Sequence, residues 1–141
     1  MLIKQLSVFL ENKSGRLTEL TTILGQANIN LSALSIAETS EFGIIRMVTS
    51  NPTKGLKILK ENNFSVNLTD VICIKTLNQA GALSKYLQHL SDNNVDVEYM
   101  YAFSMGENAY VIIRTESLQK TIDILKNNDA KIVEPDELYN I

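Results

Sequence analysis

The chain superposes on itself, without a gap, at an offset of 66 residues. That shift lays Asn12 on Asn78, Gly15 on Gly81, Leu17 on Leu83, Leu24 on Leu90 and Asn28 on Asn94. Further along it lays Thr49 on Thr115, Lys54 on Lys120, Leu59 on Leu125, Lys60 on Lys126 and Asn62 on Asn128. Apolar positions exchange conservatively, as in Val8/Ile74, Ile29/Val95, Leu31/Val97 and Val66/Ile132. Identities that respect the hydrophobic pattern and need no gap mark two copies of one module. A length of 141 residues would otherwise suggest a single domain; the repeat divides it into residues 1–69 and 70–141, with no linker.

Each copy spells the same order of elements. Leu6, Val8 and Leu10 lie on one face of an opening strand over Leu2–Leu10, and Ile72 and Ile74 repeat that face. Leu17, Leu20, Ile23, Leu24 and Ala27 then recur at spacings of three and four, as do Leu83, Tyr86, Leu87 and Leu90, which predicts a helix in each copy. Ser14 offers its start signal, and Asn28 and Asn94 end the helices in a left-handed conformation. Strands are expected at Ile29–Ala37 and Val95–Phe103, then turns at Ser40-Glu41 and Gly106-Glu107-Asn108, then strands at Gly43–Thr49 and Ala109–Thr115.

Asn51-Pro52 opens a second helix running to Asn62-Asn63, since proline suits the first helical turn; Ser117 to Asn128 is its twin. Strands at Ser65–Leu68 and Lys131–Val133 close the copies, and residues 134–141 form a short helical turn or a tail. The order β-α-β-β-α-β, twice, is the ferredoxin-like unit: an α+β fold with two helices on one face of a four-stranded antiparallel sheet. Units of about 70 residues bury too little surface to stand comfortably alone, so the copies should share an interface. The helix-free faces carry Ile3, Phe9, Val71 and Leu77 and call for a partner.

Composition removes several functions. Lys and Arg number 13 against 16 Asp and Glu, for a formal charge of -3 and no basic run, which argues against general binding to nucleic acid or anionic lipid. The apolar runs are strand-sized and no apolar leader opens the chain, so a cytoplasmic protein without membrane spans is expected. With one cysteine, Cys73, and one histidine, His89, no metal site and no internal disulfide are expected; both residues read as packing. The third strands, Phe42–Val48 and Ala109–Arg114, lack the aromatic and basic pattern of RNA readers. No nucleophile has a base beside it and no cofactor loop is present, so neither catalysis nor a cofactor is expected.

Both copies share one chemical feature, a first loop of the form Asn-x-x-Gly-x-Leu: Asn12-Lys13-Ser14-Gly15-Arg16-Leu17 and Asn78-Gln79-Ala80-Gly81-Ala82-Leu83. A loop entering a helix leaves the amides of its first turn without intrahelical partners, at the positive end of the helix dipole. Glycine permits close approach to that backbone. Asparagine both donates and accepts, which suits a zwitterion. Lys13 and Arg16 add positive charge for a carboxylate. Equally, the glycines could serve only the turn, and Asn12 and Asn78 only the loop backbone.

With Asn28-Ile29-Asn30-Leu31 and Asn94-Val95-Asp96-Val97 opening the second strands, the chain resembles, over its whole length, a tandem pair of ACT domains, the amino-acid-binding regulatory module of metabolic enzymes. The resemblance implies that Asn12 and Asn30 orient an amino-acid effector together with Lys13, Ser14, Gly15, Arg16 and Leu17, at an interface between ACT domains. It carries the site to Asn78, Gly81, Ala82, Leu83 and Asp96 in the second copy. There Asp96 would repel a carboxylate while still favouring an ammonium, so the two sites need not be equivalent. The expected function is effector binding by a homodimer that regulates a metabolic enzyme; the alternative is a structural or protein-interaction module without a ligand.

Overall fold

The structure is a computed structural model that describes residues 2–39 and 41–141. Ser40 of the first expected turn lies outside the described residues. The elements are β1 Ile3–Glu11, α1 Arg16–Gln26, β2 Leu31–Glu38, β3 Phe42–Thr49, α2 Pro52–Glu61 and β4 Ser65–Leu77, then α3 Ala82–Asp92, β5 Val97–Met105, β6 Asn108–Thr115, α4 Leu118–Asn127, β7 Lys131–Ile132 and α5 Pro135–Tyr139. This is an α+β chain of βαββαβ modules with antiparallel strands.

Two compact units result. One holds residues 4–69 and 136–141, with strand order β2-β3-β1-β4. Leu6, Val8 and Leu10 from β1, with Ile45 and Met47 from β3, pack against Leu20, Leu24 and Leu59 of α1 and α2. The period-two apolar pattern of the strands meets the three-and-four pattern of the helices, as the sequence predicts. The other unit holds Leu2, Ile3 and residues 70–135, with order β5-β6-β4-β7 and a core of Ile72, Ile74, Val111 and Ile113 against Leu90, Ile122 and Leu125.

β4 is one unbroken strand of 13 residues, where the sequence suggests two strands in close succession; the division between units falls within it, after Thr69. The C-terminal segment is a helix whose Leu138 is fully buried, and Tyr139 Oη accepts a hydrogen bond from the Lys4 amide at 2.7 Å. Of the four residues on the helix-free faces, Ile3 and Val71 are fully buried, whereas Phe9 and Leu77 stay 48% and 53% exposed.

Local chemistry sets the helix ends. Asn28, Asn63, Asn94 and Asp129 all sit at positive φ, between 57° and 64°. Beyond each, an amide reaches back to close the helix: Ile29 to Leu24, Phe64 to Leu59, Val95 to Leu90 and Ala130 to Leu125, at 2.9 to 3.0 Å. Asn51 Oδ1 accepts from the Lys54 amide at 3.1 Å and Pro52 opens α2. Ser14, by contrast, is not the cap of α1. Gly15 holds that position at φ 88°, and no side chain caps the turn. Gly81 does the same for α3 at φ 82°. Only a residue without a Cβ enters this conformation freely, so the paired glycines of the repeat are explained by backbone geometry.

Candidate functional site

The first loop is anchored through its backbone. The Asn12 amide donates to the Glu41 carbonyl at 2.8 Å, and the Asn78 amide donates to the Glu107 carbonyl at the same distance. Both asparagine side chains are exposed and make no hydrogen bond to a described residue.

Around this loop a pocket of about 160 Å³ is lined by Asn12, Lys13, Arg16 and Leu17 on one side and Ile36, Glu38 and Gly43 on the other. Each side mixes polar and apolar groups, and the apolar Leu17 and Ile36 are 37% and 51% exposed. Ile36 faces Ile45 across the β2–β3 ladder, so the helix-covered face of the sheet runs out toward solvent here.

Charges are partly committed. Lys13 Nζ pairs with Glu11 at 2.8 Å, and both side chains are more than half exposed. That hydrogen bond and the ammonium's charge, with a smaller contribution from Arg16, hold the Glu11 carboxyl below its ordinary value. Arg16 pairs with Glu19 at 2.7 Å and lies over the Phe64 ring, 4.5 Å from its centroid. It is therefore a positioned cation beside the loop, steadied by a cation–π contact.

Asn30 is not brought to this pocket. Its backbone amide donates to Ser50 Oγ and its carbonyl accepts from the Ser50 amide, both at 2.9 Å, while its Nδ2 reaches the Ile141 carbonyl at 3.5 Å. It lies just before Leu31, which pairs with Thr49, whereas the loop lies near Glu38, which pairs with Gly43. Asn12 and Asn30 are thus at opposite ends of one strand, separated by about 20 Å at the rise of an extended chain. Within one module the two asparagines cannot hold one small ligand.

The second copy repeats the separation. Gly81 and Ala82 line a larger pocket of about 490 Å³ with Gln79 and Ala80. Asp96 lines a different one, of about 80 Å³, with Asn94, Glu116 and Lys120. Leu83 packs against the core, and Asn78 belongs to neither pocket. His89 is half-buried in the last turn of α3 and Cys73 is fully buried.

Sequence reasoning missed Ile36, Glu38 and Gly43, which register alone places opposite the loop, and Phe64, which supports Arg16 from beyond α2. It also passed over Lys75, Lys85 and Lys131, which line the larger pocket. These are scattered in sequence and carry no motif.

Residues 1–141 match a family model described as an ACT domain pair. The crystal structure of a Bacteroides thetaiotaomicron protein is 50% identical, covers all of this chain and 98% of its own, and superposes with a TM-score of 0.96. The regulatory subunit of aspartate kinase from Thermus thermophilus, in a ligand-free form, shares the fold at 10% identity and a TM-score of 0.65, covering 91% of this chain and 94% of that one. Its counterpart from Thermus flavus does so at 12% identity and a TM-score of 0.58, over 90% and 94%. No curated protein matches the sequence.

Proposed function

Because the chain belongs to the ACT family as a pair of domains, we propose that it is a regulatory protein that binds a free amino acid at the β1–α1 loop of its first domain, residues 1–69. The observation that carries this reading is the pocket beside Asn12, which brings an amide side chain with no hydrogen-bond partner among the described residues, at the entry to α1, together with the apolar Leu17 and Ile36. The first-turn amides of α1 suit the ligand's carboxylate, Asn12 suits either end of the zwitterion, and the two apolar residues suit a side chain.

A strand residue supplied by a second copy of the chain completes the site. The separation of Asn12 from Asn30 within a module supports that arrangement. So do Leu34 and Ile36, 42% and 51% exposed on the edge strand β2. Effector binding then stabilises the homodimer over the separated copies, which is how a ligand shifts such an equilibrium. The protein acts in the cytoplasm on a metabolic enzyme rather than as a catalyst. The exposed Phe9–Phe42 stack, with centroids 4.9 Å apart, favours a second reading, a module that binds protein without a ligand.

A thermal-shift screen of the proteinogenic amino acids, followed by calorimetry on each hit, separates the two. Free ligand at about 100 times its dissociation constant stabilises the bound state by about 2.7 kcal/mol. No rise in melting temperature at millimolar amino acid would leave the protein-binding reading.

A further inference from the structure

We propose that the C-terminal segment, residues 135–141, is an autoinhibitory strap: a backbone carbonyl of the segment occupies Asn30, and the amino-acid effector must displace it. The inference rests on the amino-acid reading above and names the regulation of that same site. The segment passes from one domain to the other along its length. Val133, of the second domain, is fully buried, and its amide donates to the Cys73 carbonyl at 2.8 Å. Two residues later α5 begins, and residues Asp136–Ile141 belong to the same compact unit as Lys4–Thr69. In the first copy the positions equivalent to 135–141 are 69–75, which run on within strand β4, so only the second copy has such a segment.

Its contacts fall at one end of the first domain's sheet, where β1 and β2 both begin. The Lys4 amide donates to Tyr139 Oη at 2.7 Å, and Asn30 Nδ2 donates to the Ile141 carbonyl at 3.5 Å. A carbonyl oxygen on an asparagine amide is an acceptor of the same kind as an effector's carboxylate, without the charge. Ionised acceptors make shorter and stronger hydrogen bonds than neutral ones, and 3.5 Å is long for an N–H donor. The effector therefore offers Asn30 the better partner.

The segment is also built to be released. A helix of five residues does not hold itself together in water, so its docking on the first domain, with Leu138 fully buried, keeps it folded. Short elements anchored by so few groups open at a low local cost. While the segment is docked, the Ile141 carbonyl fills the acceptor position at Asn30; once it leaves, Asn30 is free for the pocket beside Asn12 of a second copy. The effector shifts this equilibrium by as much as it prefers the released form.

Calorimetry on the full chain with each proteinogenic amino acid, and hydrogen exchange of residues 136–141 with and without the tightest binder, test it. Tyr139→Phe removes the acceptor for the Lys4 amide, and Leu138→Ala weakens the buried anchor. Each should lower the melting temperature of the ligand-free chain, yet tighten amino-acid binding about fivefold, because binding then has less docking to undo. In the parent, saturating amino acid should speed exchange in residues 136–141. If Leu138→Ala does not fold, Tyr139→Phe and the parent's exchange decide. A parent that binds, with neither variant binding more tightly or with no faster exchange in the segment, assigns α5 to the fold alone; the strap then falls and the amino-acid reading stands. Binding by a variant where the parent shows none would support the strap. No binding by parent or variants overturns both.

Discussion

The Asn12 backbone amide, not its side chain, ties the first loop to Glu41, at 2.8 Å. Asn78 and Glu107 repeat the tie in the second copy. The loop's shape therefore does not need the asparagine side chain, which leaves that side chain available to a ligand. Asn12→Ala should change stability by no more than about 0.5 kcal/mol, as surface substitutions do, while weakening amino-acid binding about tenfold. Urea denaturation and calorimetry on the same variant check both halves. A large loss of stability would return Asn12 to a structural role.

Asn12 and Asn30 lie at opposite ends of β2, which makes the proposed homodimer testable by mixing. Asn12→Ala and Asn30→Ala should each weaken binding about tenfold alone. Mixed and allowed to exchange, they should regain binding at one site per mixed dimer, because one pocket then receives both intact asparagines. No recovery on mixing would mean that a second copy does not complete the site.

Gly15 and Gly81 stand at φ 88° and 82°, and a methyl group added at either would meet no atom within 4 Å. The cost of Gly15→Ala or Gly81→Ala is then conformational rather than steric, about 1 kcal/mol each. Asparagine at these positions should cost less than alanine, which a comparison of urea midpoints would reveal.

Gly55 in α2 reverses that logic. A methyl there would lie 2.7 Å from Leu6 Cδ1, and Leu6 is fully buried. Alanine gains about 1 kcal/mol of helix propensity, but overpacking a closed core costs about 1–3 kcal/mol. Net destabilisation is expected in thermal unfolding, and Leu6→Val should relieve it in the double variant.

The Lys13–Glu11 pair predicts an acid-side effect. Glu11 has a lower pKa in the folded chain than its ordinary 4.5. Its small stabilising effect is complete above that ordinary value and disappears as pH falls through the lower folded one. Glu11→Gln should remove this component from the pH profile of stability and leave neutral-pH stability nearly unchanged, as exposed pairs contribute little. By releasing Lys13, it should also tighten amino-acid binding a few-fold at neutral pH.

Much of this architecture was readable from local pattern. The apolar spacings of Leu17, Leu20 and Leu24, the alternation of Leu6, Val8 and Leu10, and the terminal asparagines each report a constraint acting over a few residues. At the start of α1 the serine signal of Ser14 yields to Gly15, whose left-handed backbone enters the helix without a side-chain cap. The helix beyond Glu134 buries chiefly Leu138, too sparse a signal to show a period in the sequence.

Short-range pattern is enough to show one module written twice, the order of elements in each copy, and which loop bears the polar groups. What shares a pocket with that loop depends on the folded chain. Strand register set Ile36 beside Asn12 and sent Asn30 to the far end of β2, and it placed Lys75 opposite Lys131. Secondary structure follows short-range periodicity, which a single chain displays openly. Juxtaposition follows pairing between residues tens of positions apart, and no spacing within the chain encodes that partner.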